Sequence, residues 1–250
     1  GCWANVPGGN GGINTGGGGG GGSHYNSNNK GGDGGSGIVI VRYPTFLNKD
    51  SSSYGNNGTP IGSSQVQGKI GKARSFNGTS DYIEIPPTSS MNFSNNMTVN
   101  VWHKGDITQT NTCPGLMDAD HGCGDTNGWV LQACGTNNKW AFGGGNGSQW
   151  APGSTAKTAF NDNQWHMTTG VYDGSYTYIY TDGVLEDKQA WSGGIASSGR
   201  RYEIGQTGSR CGGRFYKGLV DEASVSNIAR SADDIRQAYE IGKRTHPITI

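Results

Sequence analysis

Apolar residues are scarce in this 250-residue chain, at 32% of the total. The longest apolar run is Ile38–Val41, far short of the ~18 residues a membrane span needs. Charge of one sign is missing as well. The 19 basic and 19 acidic residues balance to zero, with no long run of either. Nucleic-acid binding calls for a basic face or stripe, and an anionic membrane surface calls for a polybasic patch. Both classes of partner are therefore excluded. No CxxC pair occurs, which argues against a zinc ribbon or a thioredoxin-like site.

Glycine is abundant instead. The 46 glycines are more than twice what average usage would give, and they crowd the N-terminus. Residues 1–37 include the heptad Gly16–Gly22 and GGDGGSG at Gly31–Gly37. Such a tract buries little apolar surface. Glycine runs can nevertheless order when extended segments pack side by side, because no Cβ blocks close backbone approach. Composition thus divides the chain into a glycine-rich stalk or assembly segment, residues 1–43, and a β-rich domain, residues 44–250. The β-branched run Ile38–Tyr43 closes the first part and reads as a strand. Self-association through residues 1–43 is expected.

From Ala73 onward, short alternating segments are punctuated by turns. Tyr82–Ile85 stops at Pro86-Pro87, and Met97–His103 alternates cleanly. Trp129–Ala133 and Trp140–Phe142 flank a GTNN turn. Gln164–Tyr172 and Tyr176–Thr181 flank Asp173-Gly174, and Asp182-Gly183 turns into Val184-Leu185, both strong hairpin signals. Arg201–Ile204 and Phe215–Val225 complete the set. Many short strands at regular spacing predict an all-β, two-sheet antiparallel sandwich. One helix is expected at the end, with Ser231 as its N-cap and Asp233 and Asp234 in its first turn.

Of the five cysteines, Cys113, Cys123, Cys134 and Cys211 lie in the β-rich part. In a glycine-rich, low-charge β chain they read as two disulfides and an oxidising, extracellular setting. Cys113–Cys123 would close a short loop, leaving Cys134–Cys211. Sequence alone does not fix this connectivity, and five unpaired thiols are the alternative. Cys2 is left over, free or crosslinking chains.

Four segments taken together resemble laminin-G-like, concanavalin A-like lectin/glucanase domains of bacterial or phage type. They are GKIGKARSFNGTSDYIEIP (Gly68–Pro86), MTVNVWHK (Met97–Lys104), the block Gln164–Glu186 and the block Gly218–Gly242. The resemblance implies a jelly roll closed by the C-terminal helix. One departure stands out: GIVIVRYP occupies the place where relatives carry a Trp-bearing first strand. The N-terminal tract resembles glycine-rich regions of phage tail-fibre and cell-surface proteins. The resemblance also implies one structural Ca²⁺ held by Asp81 and Asp221, with Asp50 and Asn57 as loop donors. Oxygen ligands from separate loops suit calcium's irregular geometry.

Some enzymes of this fold hydrolyse glycosides with an E-x-D-x-x-E strand, and no such pattern occurs here. Hydrolysis needs two carboxylates flanking one bond. Glu84 stands alone, and the adjacent Asp221 and Glu222 should face opposite ways on a strand. His166 reads as a structural histidine at the start of a core strand. The loop around His121, with Asp118, Asp120 and Asp125, reads as a solvated polar loop or a cation loop. The favoured function is a non-catalytic, extracellular carbohydrate-binding or adhesion module, displayed on a cell surface, filament or virion fibre. The alternatives are a structural filament subunit and a glycoside hydrolase. Sugars stack on exposed aromatic rings. Trp102, Trp129 and Trp165 are expected in the core. Trp140, Trp150, Trp191 and Tyr216, near Gly/Ser/Asn-rich loops, are the expected ligand-facing rings, and the partner is a glycan or cell-surface ligand.

Overall fold

The computed structural model describes residues 48–109, 113–119, 125–133, 138–208 and 214–244, with residues 10, 32, 33 and 212. The chain divides into two units, Gly1–Thr45 and Phe46–Ile250. The glycine heptad and the expected strand Ile38–Tyr43 lie outside the described residues. Among the described residues, no helix is long and apolar enough to cross a membrane.

The described residues of the second unit form sixteen strands, a one-turn 3-10 helix at Ser89–Met91 and one α-helix. In chain order the first eight strands are β1 (Thr59–Ile61), β2 (Ser64–Gln67), β3 (Lys72–Asn77), β4 (Tyr82–Ile85), β5 (Met97–Gly105), β6 (Gly115–Asp118), β7 (Asn127–Ala133) and β8 (Lys139–Asn146). They continue as β9 (Ser154–Ala159), β10 (Trp165–Tyr172), β11 (Tyr176–Thr181), β12 (Val184–Ala190), β13 (Tyr202–Ile204), β14 (Gln206–Thr207), β15 (Arg214–Phe215) and β16 (Lys217–Ser226). The helix α1 spans Ala232–Arg244. One seven-stranded sheet runs β1-β4-β13-β6-β7-β8-β9, and the other runs β12-β11-β10-β5-β16-β3-β2. All the pairings are antiparallel. This is the expected jelly-roll sandwich with one C-terminal helix.

Alternation decides which side chains enter. Met97, Val99 and Val101 of β5 point between the sheets with Ile83, Ile85, Leu131, Phe142 and Ile204. Trp102, Met167, Val171 and Tyr180 form a second cluster with Ile235 of α1. Tyr239 stacks on Trp102 at 5.7 Å between ring centroids. The sheets meet closely at β10, where a Cβ on Gly170 would overlap the Phe142 ring. The α1 cap forms as the sequence implies. Ser231 Oγ accepts from Asp234 N at 3.2 Å, and the Asp234 carboxylate accepts from Ser231 N at 3.0 Å. This reciprocal pair satisfies donors that the first helical turn leaves orphaned.

The Asp182-Gly183 turn has φ of 52° and 80°, joining paired Thr181 and Val184 as a two-residue hairpin with both central residues left-handed. Its carboxylate does more than turn the chain. Asp182 accepts from Met167 N at 2.9 Å and lies 2.7 Å from His166 Nδ1, while Asp162 lies 3.0 Å from Nε2. The hydrogen bond to Asp182 raises the His166 pKa to about 9 against the opposing effect of burial, with Asp162 adding to the rise. Its cross-strand partner His103 is fully buried. Burial pushes His103 down to about 3, and the charge on His166 adds to that. Neutral His103 accepts the Trp140 indole N–H at 3.1 Å and lies 2.8 Å from the Thr168 hydroxyl.

One of the expected strands differs in detail. The stretch Phe215–Val225 is not one strand: it breaks at Tyr216, whose N–H reaches Gly205 O at 2.8 Å, as the ring turns fully inward. Glycine at 218, with φ of 146°, permits that switch of partners between β15 and β16. The short strands β1, β2, β6 and β9 carry no turn-bounded alternation and were not anticipated.

Two outcomes follow from this packing. His166, raised above its unfolded value near 6.5, stabilises fully below that pH and loses the contribution as pH rises through about 9. His103, depressed, destabilises as pH falls from 6.5 towards 3. Thermal stability should therefore peak near pH 6.5. Asp182→Asn, which keeps the turn, should flatten the alkaline limb, worth on the order of 2 kcal/mol. A Tm unchanged between pH 6.5 and 9.5 would refute the ion pair. Gly170→Ala should destabilise by about 1–3 kcal/mol in urea unfolding, because the Phe142 ring has nowhere to go.

Candidate functional site

Burial sorts the four expected ligand-facing aromatics into two pairs. Trp140 and Tyr216 are 1% and 0% exposed, which corrects the expectation for both. Trp140 stacks on Phe160 at 4.1 Å between ring centroids and bonds His103 through its N–H. Tyr216 packs against the same three rings. Neighbours brought in from β5 and from the chain after β9 take both rings into the core, so flanking loop composition was a poor guide.

Trp150 and Trp191 stay at the surface, half-buried. The turn after β8 places both. Asn146 Oδ1 accepts from Ser148 N and Gln149 N at 2.9 and 2.8 Å, which fixes the hairpin tip. Trp150 then folds back over the glycines of β8. A Cβ at Gly145 would come within 2.6 Å of its ring, and one at Gly143 within 3.3 Å of its N–H. Gly143 and Gly145 are thus the seat of an indole, and the glycine run was the signal in the sequence.

Trp191 closes the β11–β12 hairpin at the other side of Gln149. Its indole N–H donates to Gly194 O at 2.9 Å, and its backbone N–H to Ser175 O at 2.8 Å. With its polar handle satisfied internally, the ring is left as an apolar wall. It lines an open groove of about 470 Å³ with Tyr176, Gln149, Ser175, Ser192 and Gly193. Tyr176 is 37% exposed, and Lys188 Nζ lies 3.7 Å from its ring centroid. Tyr176, Tyr178 and Tyr180 form a ladder at 6.1 and 6.4 Å on β11. Asp173 anchors the Tyr178 hydroxyl at 2.6 Å. Tyr176 is the residue missed from sequence, and its alternation with Tyr178 and Tyr180 was the available signal.

The expected calcium ligands are not gathered together. Asp50 and Asn57 share one loop, where Asn57 Oδ1 accepts from Asp50 N at 2.9 Å. The Asp50 carboxylate accepts from Ser52 N, Ser52 Oγ and Asn56 N at 2.7–2.9 Å. Burial opposes ionisation there, yet these bonds keep the Asp50 pKa low. Asp81 accepts from Asn77 N at 3.1 Å in the turn before β4. Asp221 accepts from Ile70 N and Glu222 N at 2.8 and 2.9 Å, with its pKa raised by burial. Among the described residues no three acidic, His or Cys side chains form a metal-ligating group, so Asp50, Asp81 and Asp221 do not together make one. Among the described residues Cys113 is a free thiol, and the expected bridge to Cys123 reaches outside them. Cys123, Cys134, Cys211 and Cys2 lie outside the described residues, as do Asp120 and His121. Asp125 pairs with Arg200.

A row of carboxylates that the sequence did not disclose crosses the outer face of the first sheet. Glu84 faces Glu203, and Glu203 faces Asp118, in register on β4, β13 and β6. Arg201 bridges Glu84 at 2.7 Å and Glu203 at 2.8 Å, and Gln206 donates to Glu203 at 2.9 Å. Asp118 and Glu203 are fully buried. Glu84 reaches solvent at the end of the row, but its in-register partner Glu203 and Asp118 are buried, so no two of these carboxylates flank an open cleft as glycoside hydrolysis requires. Glu222, which has φ of 45° at a bulge in β16, departs from simple alternation with Asp221.

Residues 77–236 match the family model described as concanavalin A-like lectin/glucanases superfamily, of laminin G type. The chain belongs to that superfamily. No curated protein sequence matches it. Among solved structures it is similar to domain 4 of AbnA, a GH43 extracellular arabinanase from Geobacillus stearothermophilus, in complex with arabinotriose. That similarity is at 21% identity and a TM-score of 0.59, over 76% of this chain and 91% of the other. It is also similar to the binding domain of Paraclostridial Mosquitocidal Protein 1, at 16% identity and a TM-score of 0.62, over 76% of this chain and 48% of that one. A third is a botulinum neurotoxin type C structure whose cell entry depends on two ganglioside molecules, at 11% identity and a TM-score of 0.61, over 78% and 48%. The chain thus spans about half the length of these two toxin structures, and all three similarities speak to the fold.

Scattering the four expected ligands has a thermal consequence. Chelation with EDTA should leave the Tm of this superfamily member within a degree of its untreated value. A drop of several degrees, reversed by added calcium, would show that a donor set had been overlooked.

Proposed function

We propose that this domain is a non-catalytic carbohydrate-binding module that acts outside the cell. The groove between Trp191 and Tyr176 is its sugar site. The observation that carries the reading is the Trp191 ring itself, pinned by its N–H to Gly194 O and presented with Tyr176 and Gln149 along one open groove. Sugar rings offer C–H faces to such rings and hydroxyls to amide and hydroxyl side chains. Gln149, Ser175 and Ser192 supply those polar partners beside the aromatics. The similar arabinanase domain holds arabinotriose, and the similar neurotoxin structure concerns gangliosides, which supports a glycan ligand. The closure of Asp118 and Glu203 from solvent favours binding over hydrolysis.

A glycan array, followed by calorimetry with the best ligand and with arabinotriose, tests this. Trp191→Ala and Tyr176→Ala should each weaken binding at least ~10-fold, about 1.4 kcal/mol, with far-UV spectra unchanged. No reducing sugar should be released. Absence of any glycan ligand, or affinity indifferent to both substitutions, would defeat the proposal.

A further inference from the structure

A second opening lies where α1 crosses the outer face of the second sheet. It has a volume of about 210 Å³, below the ~300–1,000 Å³ of pockets for drug-sized ligands and suited to a single ring. Its floor is polar. Ser224, Asn100 and Thr169 are cross-strand partners on β16, β5 and β10, so their side chains stand in one row. Ile235 and Ala238 of α1 form an apolar roof, and Arg230 stands at one end.

The hydrogen bonds show which groups are spent and which are not. Thr98 Oγ1 donates to Ile228 O at 2.6 Å and accepts from Arg230 N at 3.0 Å. It ties the segment before α1 to the sheet and fixes Arg230 over the opening. Thr169 donates to Asn100 Oδ1 at 2.6 Å. That bond occupies the Asn100 acceptor and leaves its NH₂ group to donate elsewhere. Neither Asn100 Nδ2 nor the Ser224 hydroxyl has a protein partner among the described residues. Arg230 makes no ion pair within 4 Å among them either, although its charge adds to the hydrogen bonds from Ser231 in lowering the pKa of Asp234. Its neighbour Asp234 is held by Ser231 N and Oγ at 3.0 and 2.7 Å. Among the residues lining the opening, Arg230 carries the one charge.

We infer that this opening is a second sugar site, and that it takes one carboxylated monosaccharide unit. An exposed guanidinium prefers a carboxylate, which it can grip through two parallel bonds. The Asn100 amide and the Ser224 hydroxyl match ring hydroxyls, and the exposed Ala238 methyl matches the C–H face. The inference rests on the carbohydrate-binding reading for its class of ligand, but shares no residue with the Trp191 groove.

The test is an amide-resolved NMR titration of the full chain with sodium glucuronate, glucose and sodium acetate at low salt. Glucuronate should shift the Asn100 side-chain amide saturably. Glucose and acetate should do so at least tenfold more weakly. Arg230→Gln should weaken glucuronate at least tenfold, as should Asn100→Ala. Trp191→Ala should leave this titration unchanged, so that failure of the groove and failure of this opening are read separately. An Asn100 amide that does not move, equal response to acetate or glucose, or an affinity unaffected by Arg230→Gln would each overturn the assignment.

Discussion

The contact between Phe142 on one sheet and Gly170 on the other sets the distance at which this sandwich closes. Two sheets stack about 10 Å apart when their inner side chains interdigitate. A full phenyl ring at that point needs a bare backbone opposite, and Gly170 provides it. Gly170 is in turn paired with Val99 on β5 and Ile179 on β11, both fully buried. The ring is thus socketed at the middle of the second sheet. Everything that acts at the surface is carried on strands whose spacing this contact fixes.

One end of the interlayer space is polar, and its chemistry is of a different kind. His103 is kept neutral by burial and is bonded through Nε2, whereas its cross-strand partner His166 is kept charged between two carboxylates. Two imidazoles whose centroids lie 6.1 Å apart are driven to opposite protonation states by depth and by partner alone. The arrangement holds the β10–β11 end together. The motif Trp165-His166 is in this sense architectural. Its histidine clamps the Asp182 turn, and that turn starts the β11–β12 hairpin that ends at Trp191.

The aromatic groove and the opening beneath α1 occupy different parts of the domain. They share a mode of construction, in which an internal hydrogen bond consumes one polar atom of a side chain and leaves the rest presented. Trp191 spends its N–H on Gly194 and keeps its ring. Asn100 spends its carbonyl on Thr169 and keeps its amino group. Preorganisation of this sort lowers the entropy lost when a ligand binds. The row of Glu84, Glu203 and Asp118 is the contrary case. There Arg201 and Gln206 engage Glu84 and Glu203, and Glu203 and Asp118 stay buried.

Local order was legible in the sequence. Alternation in Met97–His103 and Gln164–Tyr172, the Asp-Gly turns and the Ser231 cap each depend on a few consecutive residues, and each forms. The two-layer class followed from their number and spacing. Depth was not legible for Trp140 or Tyr216, because alternation says which residues share a face and not what covers that face. Phe160 and His103 bury Trp140 from distant parts of the chain. Likewise the register that aligns Glu84, Glu203 and Asp118, and the one that aligns Ser224, Asn100 and Thr169, join strands far apart in sequence. The sequence by itself determined strands, turns, cap and sandwich, since short-range sterics and hydrogen bonding suffice for those. Only the tertiary structure decided which aromatics meet solvent and which polar groups converge, since both depend on long-range pairing that places distant side chains within bonding reach.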